Sequence, residues 1–236
     1  MPLNKSAGNM FDFVTHTWNP IKGACQHDCI YCYMKRWGEG RLKKPRFVNA
    51  ELRTDLGENN FIFIGSSIDI FAPDIPADWI IQMLCKTELH DKNKYLLQTK
   101  NPIRYFNFIP NKTTIDYGNI HPENFILSTT IETDLFLPDI MRNSPPPEYR
   151  AAAMAKLPKE YKRMLTIEPV MKFDLDRILK LIMLVNPQEI NIGADSMNKN
   201  LPEPSAEELH YLIGVLENSF DFTINKKSNL KRILAA

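Results

Sequence analysis

Thiols are scarce in this 236-residue chain, which holds four cysteines, too few for a disulfide scaffold. No apolar run approaches the ~18–20 residues that span a bilayer, so no membrane partner is expected. The opening stretch, MPLNKSAGNMFDF, lacks the apolar centre of a signal peptide, and the cytoplasm is the expected location. Low-complexity tracts and linker-like boundaries are also missing. One domain over residues 1–236 is therefore expected, with a core at about 11–218 and a C-terminal extension at 219–236. Net charge is nearly absent: 29 basic against 28 acidic residues leave +1, which implies no strong global preference for a partner. With 44% hydrophobic and 24% charged residues, the composition is that of a globular protein and excludes disordered and collagen-like classes.

What is present is a regular alternation. Short apolar runs rich in β-formers occur at 61–65, 94–99, 124–131, 162–169 and 189–194, and each is followed by a helical pattern, at 77–89, 102–109, 146–157, 174–185 and 205–218. Leu175, Ile178, Leu179, Ile182 and Met183 fall on one face of the fourth of these helices. Ser205 and Glu208 have capping-box spacing ahead of a stripe of Leu209, Leu212, Ile213 and Leu216. With 11–18 as a first strand and 30–37 as its helix, six strand–helix units result, and 220–226 reads as a seventh strand or an edge. Continuous apolar strands, each followed by a helix, predict an α/β fold with a parallel sheet covered by helices. Five of the strands run into polar stretches: GSSID, QTK, TTIET, TIEP and GADS. Any one could be an ordinary loop start, but together they favour a shared polar face at the carboxyl ends of the strands, where such folds place their chemistry.

Three of the four cysteines sit in CQHDCIYC, as Cys25, Cys29 and Cys32. Clustered thiols in a reducing compartment suggest a metal or redox role, and thiolates hold zinc or iron–sulfur clusters. A closed zinc site needs a fourth ligand. His27 lies within the loop but has little freedom to reach the metal held by its neighbours. Cys85 is distant, in a helical stretch where a buried inert thiol is the default. A cubane cluster held by three cysteines leaves one iron without a protein ligand, open to a small chelating molecule.

The C-x3-C-x-aromatic-C pattern, with Tyr31 before the last cysteine, resembles the signature of the radical S-adenosylmethionine superfamily. Further segments, TWNPIKGACQHDCIYCY, FIFIGSSIDIFAPDIP, YLLQTKNPIRYF, FILSTTIET, RMLTIEPVMKFDLD and EINIGADS, resemble a phage-associated family of that superfamily known only as a domain of unknown function. The likeness covers about residues 15–227. The YCY element also resembles, locally, the spore photoproduct lyase group, which repairs a thymine dimer in DNA. The tail departs from the phage family, whose end is more aromatic.

This resemblance implies a partial (βα)6 TIM-type barrel, a 4Fe-4S cluster on Cys25, Cys29 and Cys32, and S-adenosylmethionine on the open iron. It implies reductive cleavage to a 5′-deoxyadenosyl radical that takes hydrogen from an unknown substrate. A reductase, flavodoxin or ferredoxin would be the electron donor. Gly65, Ser66 and Ser67 would form the turn that meets the methionine amino group, with Asp69 supplying a nearby carboxylate. Ser128, Thr130 and Glu132 suit a ribose or the methionine end, and Tyr31 belongs to the same cofactor set. Glu168 resembles the family's acid at the end of the fifth strand; pairing with Lys100 is its bland alternative. Asn191 and Asp195 could bind ribose hydroxyls or adenine edges. Tyr33 and Trp37 lie on the cluster helix, where Tyr33 could cover the cluster or pack in the core. Lys100 and Arg104 could face an anionic substrate or pair with acids, and His16 could point into the barrel.

Two other functions compete with the general radical enzyme. One is a nucleic-acid-directed version, gripping phosphates through Lys35, Arg36, Arg41, Lys43, Lys44 and Arg46, with only Glu39 among them, and through Lys226, Lys227, Lys231 and Arg232. The other is a non-catalytic iron–sulfur or zinc module, against which the strand-end acids argue.

Overall fold

The computed structural model describes residues 3–7, 10–38, 42–110 and 118–235. Its strands are β1 (Asn4–Lys5), β2 (His16–Trp18), β3 (Ile21–Lys22), β4 (Arg46–Phe47), β5 (Phe61–Ile64), β6 (Lys94–Thr99), β7 (Phe125–Thr130), β8 (Lys162–Ile167), β9 (Glu189–Ile192) and β10 (Thr223–Lys226). The α-helices are α1 (Ala77–Glu88), α2 (Pro138–Met141), α3 (Pro147–Ala155), α4 (Leu175–Val185), α5 (Ala206–Ser219) and α6 (Lys231–Leu234). Eight strands form one sheet in the order β1-β2-β5-β6-β7-β8-β9-β10, and β3 pairs with β4 alone. Neighbours from β2 to β10 are parallel, while β1 is antiparallel to β2. Parallel neighbours require crossovers. Helices α1, α3, α4 and α5 lie in those that follow β5, β7, β8 and β9.

Alternation along each strand separates two faces. Ile62, Leu97, Leu127, Leu165 and Ile190 join the main core with the helices. On the opposite face Phe63, Leu96, Ile126 and Met164 gather around Phe11 and Val14 in a second apolar cluster. One cluster can collect side chains from four successive strands and from the segment before β2 only if the sheet curls. Thr166 Oγ1 on β8 accordingly donates to Gln98 Oε1 on β6, 3.1 Å away across β7. Lys227, just past β10, stands 4.5 Å over the Phe11 ring. The result is a barrel-like sheet with an apolar floor, and its polar residues lie toward the strand carboxyl ends.

Local chemistry explains the helix boundaries. Asp174 caps α4 by accepting from the Arg177 N–H at 3.0 Å. The expected capping box of α5 forms between Ser205 and Glu208, and its stripe Leu209, Leu212, Ile213 and Leu216 is buried. On α4 the buried face is Ile178, Ile182 and Val185, whereas Met183, expected in that stripe, is 54% exposed. A five-residue stripe is wider than the strip of α4 that meets the sheet, so its edge is left in solvent.

The first unit departs most from the sequence expectation. Its strand is only His16–Trp18, because Phe11 and Val14 turn inward to seal the barrel floor. The expected helix at 30–37 is a short 3-10 helix, Tyr33–Trp37, and that at 102–109 is a 3-10 helix over Pro102–Asn107. The β3–β4 pair was not foreseen. The segment at 220–226 does end in a strand, β10, parallel to β9. His16 shares a face with Ile62 and Trp18, by register and alternation, so it points away from the barrel interior. No helix among the described residues is long and apolar enough to cross a membrane.

Candidate active site

The cysteine loop leaves β3 and runs into the 3-10 helix. Its base is closed where the Ala24 N–H donates to the Lys43 carbonyl at 2.8 Å. Gly23 permits this closure: its φ is +144°, and a Cβ there would lie 2.7 Å from Pro45 Cα. The segment after β7 braces the other side. The Ile30 N–H donates to Ile140 O at 3.0 Å, the Asn143 N–H to His27 O at 3.0 Å, and the Asn143 side chain to Gln26 O at 2.9 Å.

All the cysteines are free thiols. Burial pushes the Cys25 thiol up, as do the nearby Asp69 and Cys29, while backbone N–H groups of Asp69 and His27 directed at the sulfur oppose them. Burial also raises Cys32, with the Met34 N–H opposing and Cys29 adding. Cys29 is therefore within electrostatic reach of both. Such thiols become good ligands only when a cationic centre replaces the lost hydration. Among the described residues, no three His, Cys, Asp or Glu side chains are grouped to hold a single metal ion. A cubane needs no such convergence, since each thiolate binds a different iron, and the donor set fits that group better than zinc. Cys85 sits on α1, where a Cβ on Gly118 would meet its sulfur at 3.3 Å, and burial followed by Glu88 pushes its thiol up.

Two acids stand beside the loop. Asp69 follows β5, and its side chain is 10% exposed. Its Oδ2 accepts from His27 Nε2 at 2.9 Å, Thr99 Oγ1 at 2.9 Å and the Lys100 N–H at 2.8 Å, and its Oδ1 from the Phe71 N–H at 2.9 Å. Burial opposes its ionisation, but these donors, His27 foremost, hold its pKa below the usual carboxylate range. Glu132 follows β7 and is fully buried. It accepts from Tyr31 OH at 2.5 Å, from Arg150 Nη1 at 2.8 Å and from Lys100 Nζ. Burial again works against the charge, and Arg150 and Lys100 prevail, leaving Glu132 far below the usual range. The Lys100 ammonium also stands 5.1 Å over the Tyr31 ring. His27 is thus engaged by Asp69 and lies 3.5 Å from the Asn143 carbonyl through its other nitrogen.

The remaining strand-end residues line the same end of the barrel. Gly65 has a φ of +76°, and a Cβ on it would lie 2.5 Å from Ile70 Cγ2. Gly65→Ala should therefore cost about 1–3 kcal/mol; a chemical-denaturation midpoint equal to that of the parent would contradict this. Asn19 organises the turn: its Oδ1 accepts from the Ser67 N–H and Ser67 Oγ, each at 3.0 Å, and its Nδ2 donates to Ser66 Oγ at 3.1 Å. Tyr33, 38% exposed, donates its hydroxyl to Ser66 O at 2.6 Å. The side chain of Trp37 lies outside the described residues. Ser128 and Thr130 share the inner face, and Ser128 Oγ is buried with no hydrogen-bond partner among the described residues. Asn191 is buried, donating to Glu189 at 3.2 Å and accepting from Asn225 at 3.2 Å. Asp195 accepts from the N–H groups of Met197, at 2.8 Å, and Lys199, at 2.5 Å, within its own loop.

Two expected partnerships are corrected. Glu168 pairs with Lys227 at 2.8 Å, not with Lys100, which belongs to Glu132. Gly193 makes room for it, since a Cβ there would lie 2.7 Å from Glu168 Cδ. Arg104 makes no close ion pair among the described residues; its guanidinium donates to the carbonyls of Ala72 and Ile75, with Asp69 and Asp74 as its acidic neighbours. Sequence reading missed Arg150, Asn19 and Asn229, the last of which donates to the Ala194 carbonyl at 2.9 Å and to Glu168 at 3.5 Å. Arg150 stood in the stretch EYRAAAMA, where a lone cation among small apolar residues was the available signal.

The described part of the basic segment is only partly available. Lys35 pairs with Asp28 at 2.6 Å, Arg36 stacks 5.1 Å from the Tyr33 ring centroid, and Lys43, Lys44 and Arg46 are exposed. Glu39 and Arg41 lie outside the described residues. In the tail, Lys226, Lys227 and Arg232 pair with Glu217, Glu168 and Glu203.

This architecture is shared with solved structures. Spore photoproduct lyase complexed with dinucleoside spore photoproduct matches with a TM-score of 0.65 at 11% identity, over 92% of this chain and 78% of that one. A double mutant of that lyase with bound AdoMet and the same dinucleoside matches with a TM-score of 0.64 at 11% identity, over the same shares. At such identity the likeness establishes a radical-SAM-like fold. No curated protein matches the sequence. Residues 9–185 match the family described as protein of unknown function (DUF5131), and the chain belongs to that family.

Proposed function

We propose that this chain, acting as a single domain, is a radical S-adenosylmethionine enzyme. The observation that carries this reading is the grouping of Cys25, Cys29 and Cys32 on a braced loop at the carboxyl ends of a curled parallel sheet. Those three thiolates would hold a 4Fe-4S cluster. When bound, the cluster supplies the electron that divides S-adenosylmethionine into methionine and a 5′-deoxyadenosyl radical able to take hydrogen from a substrate.

The chain's own residues do the rest. The Gly65–Ser67 turn, with its hydroxyls held by Asn19 and its Ser66 carbonyl by Tyr33, would meet the amino end of the cofactor. Ser128, Thr130, Glu168 and Asn191 face the interior above the apolar floor, where they can orient ribose, adenine or substrate. Tyr31 and the Glu132 group border the cysteines on one side, and Asp69 and His27 on the other. Burial of these groups excludes water that would quench a radical.

The test is anaerobic reconstitution followed by incubation with dithionite and S-adenosylmethionine, with chromatography of the quenched mixture. Slow formation of 5′-deoxyadenosine without added substrate is expected. A loaded, reducible cluster that leaves the cofactor intact would end this reading.

A second reading directs the same chemistry at nucleic acid. It is favoured by the dinucleoside held in the matching lyase structures and by the exposed Lys43, Lys44 and Arg46. Phosphate contacts release counterions, so binding to single strands should weaken with salt at a log–log slope of about −0.7 per neutralised phosphate. Replacing the three cations by alanine should flatten the slope and leave cluster loading intact. Fluorescence anisotropy at several salt concentrations measures it, and an unchanged slope would remove this segment from the interface.

A further inference from the structure

The cysteine loop has two gaps, and each sends one side chain to a carboxylate at a strand end. His27, between Cys25 and Cys29, reaches Asp69 beyond β5 at 2.9 Å. Tyr31, between Cys29 and Cys32, reaches Glu132 beyond β7 at 2.5 Å. Lys100, at the end of the intervening β6, ties the two acids together: its backbone N–H donates to Asp69 at 2.8 Å and its ammonium to Glu132. Arg150, fully buried, fixes Glu132 from behind at 2.8 Å. Three adjacent strands thus grip the loop at both gaps, through charge-assisted bonds in a nearly dry site.

We propose that Asp69, Lys100 and Glu132 form one clamp that sets the cysteine loop in ligating geometry before any cluster binds. All three are positioning residues, acting through His27 and Tyr31. The cluster part of this inference rests on the function proposed above, whereas the ordering of the empty loop does not. Both oxygens of Asp69 accept from donors, so an amide in its place must turn an N–H2 toward one of them. Tyr31→Phe removes a single hydroxyl with little change of shape. Lys100→Met removes the ammonium and keeps the backbone N–H on Asp69.

The experiment compares hydrogen exchange of the metal-free chain, by mass spectrometry, in the parent and in Tyr31→Phe, Lys100→Met and Asp69→Asn. Lys35→Ala, which breaks the pair with Asp28, serves as a control. Peptides covering residues 24–35 should exchange roughly tenfold faster or more in each clamp variant, the scale of one lost charge-assisted hydrogen bond, with the rest of the sheet unchanged. Should Asp69→Asn fail to fold, the other two variants decide. The second readout is the midpoint potential of the reconstituted cluster. It should fall in Lys100→Met, because a cation that helps stabilise the reduced cluster is gone.

Faster exchange confined to the loop, together with a lowered potential, supports the clamp. Unchanged loop exchange in both Tyr31→Phe and Lys100→Met overturns it, as does acceleration spread over the whole chain or an unshifted potential. A parent chain that takes up no cluster would end the enzyme reading instead, and the exchange comparison on the metal-free chain would still judge the clamp.

Discussion

Alanine at Cys25, Cys29 or Cys32 is expected to abolish stable cluster loading, while Cys85→Ala loads like the parent. Cys29 lies within electrostatic reach of both Cys25 and Cys32, and all three are unpaired. A cluster with three protein ligands has no spare, so losing any one leaves two irons exposed to solvent. Cys85 sits on α1 beside Gly118, and its mapped electrostatic neighbour is Glu88 rather than a loop thiol. Iron content and visible absorbance after anaerobic reconstitution provide the measurement. Full iron retention in Cys29→Ala, or loss in Cys85→Ala, would refute the assignment.

Arg150→Met is expected to destabilise the metal-free chain by about 3–5 kcal/mol, the usual cost of leaving one member of a buried ion pair behind. Both side chains are fully buried, and the guanidinium also donates to the carbonyls of Pro145, at 2.6 Å, and Thr130, at 2.8 Å. Lys100 and Tyr31 remain but cannot replace those bonds. The effect should depend on pH with a definite sign. In the parent, Glu132 has a depressed pKa. Its contribution is therefore fully present above the unfolded carboxylate value of ~4.3 and is lost as pH falls toward the folded one. The gap between parent and variant is accordingly widest near neutrality and narrows in acid, where a protonated carboxyl needs no cation. Adding Glu132→Gln to Arg150→Met should recover part of the loss. Urea denaturation at neutral and acid pH measures all of this, and a neutral-pH loss under about 1 kcal/mol would show that the pair is not buried as described.

Periodicity and spacing within single segments determined much of this protein. Apolar runs and amphipathic stripes identified β5 to β9 with the helices after four of them, and the capping box at Ser205 and Glu208 marked the start of α5. These features are legible because each depends on residues a few positions apart. The cysteine spacing pointed to the loop for the same reason, and five polar strand ends pointed to one working face.

Only the tertiary structure decided which charges meet. Lys100 is closer in sequence to Arg104 than to any acid, yet it lies across Asp69 and Glu132, while Glu168 takes Lys227 from 59 residues away. Arg150 read as one polar residue in an alanine-rich helix, and only the packing of α3 against the end of β7 places it on Glu132. The first unit escaped the pattern because its apolar residues serve the barrel floor rather than a strand, with Phe11 turned under Phe63 and Met164. Hydrophobic periodicity reports which face of a segment is buried. It carries no record of the neighbour on the other side, and long-range ion pairs depend on that neighbour.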